Sequence, residues 1–257
     1  MPHFLGLCIG TVVLRPYVFA FFAAYLAACG LQFGLDRALW FSVAGYSIAW
    51  LSEASSIHNG FPYGVYHYIE ATRGRELWVW GVPFMDSLSY VFLLYASYSL
   101  ALLFLYGGKE KMPRRRINLE SAVLASFFFV YLDALIDPVA LRGDKWFLGR
   151  IYFYPGGGGY FGVPFSNFAG WLLVGFVMAC AFQWLDFALE KRGPGRGVTE
   201  GPPYRTVLGP ALYYSVALFN LAVALYIGKY GIAVTGFFLF ALPALMVWAR
   251  LKAGAEA

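Results

Sequence analysis

Apolar residues run almost without a break through seven stretches of the chain, at roughly 12–34, 38–57, 82–106, 117–136, 163–188, 206–227 and 231–250. Each is close to the ~20 residues that a helix needs to cross the hydrocarbon of a bilayer. The pattern predicts an all-α, polytopic integral membrane protein. It has about seven transmembrane helices and forms a single transmembrane domain over residues 1–257. The first stretch is interrupted by Arg15-Pro16, so it reads either as an accessory helix or as part of a substrate groove. Polar residues gather between the stretches, above all in two long segments at 57–81 and 137–162.

Composition supports lipid as the solvent. Sixty per cent of the 257 residues are hydrophobic and 13% are charged, against about 25% charged in a soluble domain; the mean hydropathy is +0.62. Such a chain cannot cover a globular surface with polar groups, and it is too apolar to be disordered. The net charge of +5 sits in a few loops, as membrane topology requires, and makes no nucleic-acid footprint. Twelve basic residues fall on one side of the predicted helices and six on the other. The rule that positive loops stay inside then puts the N-terminus outside, the C-terminus in the cytoplasm and both long loops outside the cell membrane. Met1-Pro2-His3 lacks the basic start of a signal peptide. Leu26-Ala27-Ala28-Cys29 resembles a lipoprotein cleavage box, but it reads better as the small-residue face of a retained helix. Cys8, Cys29 and Cys180 form no CxxC, and three histidines are too few for a histidine-rich di-iron site. No metal and no cofactor is expected.

Two regions of the chain resemble each other. Gly81-Val82-Pro83-Phe84 recurs as Gly162-Val163-Pro164-Phe165, an offset of 81 that also aligns Asp86 with Asn167 and Tyr90 with Trp171. Glu53 lies 28 residues before the first copy and Asp133 lies 29 before the second. An internal two-helix repeat is therefore expected, with units at about 38–106 and 117–188 related by an axis along the membrane normal.

An ionisable group inside a span is costly, and so marks a functional site by default. Glu53, Asp86, Asp133 and Asp137 qualify. Asp133 and Asp137 are four apart and share a helical face. In a poorly solvated place two such acids do not both ionise, and one keeps its proton at neutral pH. Plainer readings exist for three of these residues. Asp137 would cap the helix before Pro138, paired with Arg142 or Lys145. Glu53 would be hydrogen-bonded to nearby serines. Asp86, like Asn167, would sit in the first turn of a helix opened by proline, where an acid complements the dipole. They do not explain why the carboxyl and amide groups gather at one depth. The loops beside them are aromatic: Phe61-Pro62-Tyr63-Gly64-Val65-Tyr66-His67-Tyr68 in the first, and Tyr152-Phe153-Tyr154-Pro155, four glycines and Tyr160-Phe161 in the second. The glycine run has no following Lys-Ser/Thr and reads as a hinge or lid, not a phosphate loop. Aspartate-rich diphosphate motifs, a Ser–His–Asp grouping and HExxH are absent. An acid–base site facing lipid remains.

At these residues the sequence resembles the membrane carotenoid-biosynthesis family of bisanhydrobacterioruberin hydratase and the CruF-type carotenoid hydratases. The resemblance covers about residues 40–190. It rests on Glu53, the Phe61–Tyr68 run, Gly81-Val82-Pro83, Asp133 through Asp137-Pro138-Val139-Ala140, Trp146, and Tyr160-Phe161-Gly162-Val163-Pro164-Phe165-Ser166-Asn167-Phe168-Ala169-Gly170-Trp171. Asp86 stands where a neutral or aromatic residue would be expected. The family implies addition of water to the terminal double bond of a long-chain acyclic carotenoid, or a related isoprenoid, within the bilayer, giving a tertiary alcohol. On that implication Asp133 or Asp137 is the acid and Glu53 places the water. Asn167, Tyr66 and Tyr68 orient the groups, and Asp86, Tyr63, His67, Trp171 and Tyr160 contact the substrate. Two alternatives keep the same carboxyl groups: a carotenoid or terpene cyclase, and a transporter with a solute or proton site.

Overall fold

The computed structural model describes residues 4–107, 117–190 and 205–256. Its helices are α1 (Phe4–Leu14), α2 (Pro16–Gln32), α3 (Leu35–Asn59), α4 (Phe84–Tyr106), α5 (Leu119–Ala140), α6 (Phe165–Leu189), α7 (Arg205–Tyr226) and α8 (Tyr230–Glu256). Four two-residue strands lie in the loops: β1 (His67–Tyr68), β2 (Trp78–Val79), β3 (Val82–Pro83) and β4 (Tyr152–Phe153). Each predicted apolar stretch holds a helix. Five of them, α4 to α7 and the Tyr230–Ala249 part of α8, are long and apolar enough to cross a membrane. At 25 residues α3 has the length, but Asp36, Arg37 and Glu53 make it more polar than the rest. The protein is an all-α polytopic membrane protein. The basic residues at 109–116 and 191–196, on which much of the orientation rests, lie outside the described residues.

The centre of the bundle is α4, packed against α2, α3, α5 and α7. It is buried on nearly every side from Leu88 to Leu103, apart from Ser89, as a helix apolar all round its circumference must be. Around it α5 lies against α6, and α7 against α2 and α8.

The first predicted span is not continuous. α1 and α2 meet at 89° because Pro16 opens α2 and Arg15 leaves the helical path. The Arg15 guanidinium donates to both oxygens of Glu76, at 3.0 and 2.9 Å, and to the Leu148 carbonyl, all of it buried. A charge pair so deep holds only when its hydrogen bonds are satisfied on both sides, and this pair fixes the bend. α1 then runs against the first loop. The Thr11 hydroxyl accepts from the Leu77 amide at 2.8 Å. A Cβ on Gly10 would lie 1.9 Å from the Arg75 carbonyl oxygen, so only glycine allows the approach. Cys29 is free and fully buried in α2.

The two Gly-Val-Pro-Phe segments adopt one conformation. Trp80 and Gly81 have φ of 51° and 84°, and Phe161 and Gly162 have φ of 49° and 95°. In each case the flanking residues pair antiparallel, Val79 with Val82 and Tyr160 with Val163. Two consecutive positive φ values make the tight turn that matches the twist of the paired residues. Pro83 and Pro164 then take the N-cap, one residue before the expected first helical position, so that α4 and α6 open at Phe84 and Phe165.

Candidate active site

The C-terminal ends of α3 and α5 and the N-terminal ends of α4 and α6 converge at one end of the bundle, beneath the two aromatic loops. There they line a cavity. Glu53, Asp86, Asp137 and Asn167 form its polar part. Tyr63, Tyr66, Tyr90, Tyr152, Tyr154 and Trp171 surround them, and Tyr17, Phe21, Phe92, Trp146, Val216, Phe219 and Asn220 continue the wall between α2, α4 and α7.

The loops reach the site through a short ladder. β1 pairs antiparallel with β4, His67 opposite Phe153 and Tyr68 opposite Tyr152. Side chains alternate across a strand, so Tyr66, Tyr68, Tyr152 and Tyr154 turn inward while His67 and Phe153 turn away and touch each other, with ring centroids 5.8 Å apart. The inward rings pack edge to face at 5.3–6.3 Å. The first loop is clamped beside Gly170 of α6, where a Cβ would meet the Tyr63 ring at 2.5 Å and the Pro62 carbonyl oxygen at 2.7 Å.

Four carboxyl groups occur here as two pairs. Glu53 accepts hydrogen bonds from three phenols: Tyr90 on Oε1, and Tyr66 and Tyr68 on Oε2, the last at 2.7 Å. The Tyr68 oxygen also lies 2.5 Å from Oδ2 of Asp86 and so bridges the two acids. In the other pair the Asn167 amide donates to Asp133 at 2.7 Å and to Asp137 at 2.9 Å. Asp137 accepts further from Tyr152, and from Tyr154 at 2.8 Å. Asp133 is fully buried, and its Oδ1 has no partner. Burial, together with the neighbouring carboxyl groups, pushes the hydroxyls of Tyr68, Tyr152 and Tyr154 well above the ordinary phenol range. All three therefore stay protonated and donate. Among the described residues no lysine or arginine bonds to any of the four acids. No group of three or more His, Cys, Asp or Glu side chains is arranged there to hold a metal ion.

Tyr90 and Trp171, aligned by the offset of 81, stack directly, with centroids 4.5 Å apart at 21°. Phe129 lies against the Trp171 ring, also at 4.5 Å. An aromatic wall of this kind faces positive charge favourably.

Residues 10–243 match the sequence model of the family described as carotenoid biosynthesis protein. The chain belongs to that family. It is 26% identical over 202 residues to the bisanhydrobacterioruberin hydratase of Haloarcula japonica, a match that covers 77% of the present chain. The chain spans 62% of the length of that relative. No solved structure matches it.

Within this family member the residues singled out from sequence divide. Glu53, Asp86, Asp137, Asn167, Tyr63, Tyr66 and Trp171 line the cavity. Tyr68 and Asp133 stand one layer behind, bonded to residues that do. His67 is exposed on the outer face of the ladder, and the Tyr160 ring packs on Phe161 and Phe168, off the cavity wall. Asp137 does not cap a helix end with Arg142. α5 continues through Pro138 to Ala140, and Arg142 donates to the Pro138 and Phe161 carbonyls instead. Asp86 does lie in the first turn of α4, as expected, and its carboxyl also engages Tyr68. Tyr152 and Tyr154 were missed as site residues. The signal for them was present: Tyr152-Phe153-Tyr154 repeats the alternation of Tyr66-His67-Tyr68.

Proposed function

We propose that the protein is a hydratase that adds water to the terminal double bond of an acyclic carotenoid. The observation that carries this reading is the cavity itself. Carboxyl groups without a hydrogen-bonded cationic partner meet an aromatic and apolar wall, the surroundings that a polyene end would require. The name of the Haloarcula japonica relative supports the same chemistry.

A protonated carboxyl delivers its proton to the less substituted alkene carbon, and the positive charge falls on the tertiary carbon. Tyr66, Tyr90 and Trp171 turn their rings toward that space and lower the energy of the cation. The oxygen of a water bonds to the tertiary carbon. A carboxylate takes the proton that the water gives up, so the product is a tertiary alcohol and the site returns to its starting charge. Acid–base groups alone balance this reaction. The reading takes residues 38–106 and 117–188 as two copies of one unit, each bringing a carboxyl pair to the shared site.

The test is purified protein with an acyclic carotenoid, under exclusion of oxygen, in ¹⁸O-labelled water, read by mass spectrometry. A labelled tertiary alcohol is expected. An isomer of unchanged mass would replace hydration by cyclisation, in which a second double bond captures the cation. No change with any acyclic isoprenoid would overturn both.

A further inference from the structure

The two bridges differ in how many hydrogens they can give. The Asn167 amide carries two and serves Asp133 and Asp137 with one each. Tyr68 carries a single hydroxyl hydrogen, yet its oxygen lies within hydrogen-bond distance of Glu53 at 2.7 Å and of Asp86 at 2.5 Å. One hydrogen cannot fill two such contacts. The second must come from one of the acids, which is then neutral. Glu53 is already supplied: both its oxygens accept phenol hydrogens, from Tyr66 and Tyr90, the setting of an ionised carboxylate. Asp86 has Tyr68 as its one side-chain hydrogen-bond partner among the described residues and lines the cavity, and the nearby Arg15 charge is held by Glu76.

We propose that Asp86 enters the reaction protonated and is the acid that protonates the alkene, with Tyr68 holding it beside the Glu53 carboxylate. This rests on the hydration reading. The Asp86 O–H bond breaks and a C–H bond forms at the less substituted alkene carbon. Asp86 is left as a carboxylate, and the cation is captured by water. Asp137, which accepts three hydrogen bonds, takes the water's proton. Exchange of that proton back to Asp86, through water in the cavity, restores the start. Proton transfer of this kind contributes about 10²–10⁴-fold to a rate.

Two readouts test it, one of them independent of any substrate. Infrared spectroscopy of the resting protein in detergent is expected to show the carbonyl stretch of a protonated carboxyl that shifts in D₂O and loses intensity in Asp86→Asn. A signal unchanged in Asp86→Asn and diminished in Glu53→Gln would overturn the assignment, whatever the substrate. In the second readout, wild-type protein turning over an acyclic carotenoid in D₂O gives an alcohol with one deuterium on the carbon beside the new carbinol. Asp86→Asn is expected to lower conversion at least about 100-fold, with carotenoid still bound, and Asp86→Glu to restore part of it. Asp86→Asn with undiminished conversion would overturn the proposal and leave hydration standing. An inactive wild type would overturn hydration, and Asp86 as its acid with it, while the infrared signal would still report which carboxyl holds the proton.

Discussion

Glu53 and Asp86 are joined through a phenol with one hydrogen to give, and Asp133 and Asp137 through an amide with two. The halves also turn differently toward the cavity. Both acids of the first pair line it, whereas only Asp137 of the second does, with Asp133 buried behind. A site assembled from two similar pairs thus has two unlike sides: in one a single phenol hydrogen is shared between two acids, and in the other Asp137 has three donors while Oδ1 of Asp133 has none. The proposed addition of water would use that inequality, because the same reaction asks for a group that gives a proton and one that takes it.

The largest effect is expected from removing the well-supplied carboxylate at the cavity wall. Asp137→Asn should lower alcohol formation by about 10²–10⁴-fold with the protein still folded, measured by chromatographic assay at matched amounts of monodisperse protein. Asn167→Ala attacks the second bridge and leaves the buried Asp133 carboxyl without a donor, while Asp137 keeps Tyr152 and Tyr154. The expected cost is about 1–3 kcal/mol, read as a lower unfolding midpoint in detergent. Tyr152→Phe removes one of three donors from Asp137. A loss of about 0.5–1.5 kcal/mol is expected, seen as a rate lowered up to about tenfold; an equal loss from Tyr68→Phe would erase the proposed difference between the halves. The smallest effect belongs to His67→Ala. Its ring points away from both pairs, so stability should stay within about 0.5 kcal/mol and conversion should be unchanged.

Much of the fold was legible because a helix in lipid must be apolar over most of its length, and the seven stretches are. The break at Arg15-Pro16 was legible too, but not the buried partner that holds it, since Glu76 is 61 positions away. The four acids were legible as charges in the wrong solvent. Their division was not: Asp133 and Asp137 share one helical face in sequence, yet only Asp137 reaches the cavity. The tyrosine cluster needed the pairing of two strands 85 positions apart. The same pairing explains why His67, flanked by two site tyrosines, is not among them.

That short ladder makes the loops sensitive to parity. One residue inserted or deleted next to Tyr66–Tyr68 or Tyr152–Tyr154 would slip the pairing by a single step and exchange inner for outer faces. His67 or Phe153 would then be delivered to the carboxyl groups in place of the phenols. Length changes in the glycine run at 156–159 fall beyond the paired residues and so spare the parity of the two faces.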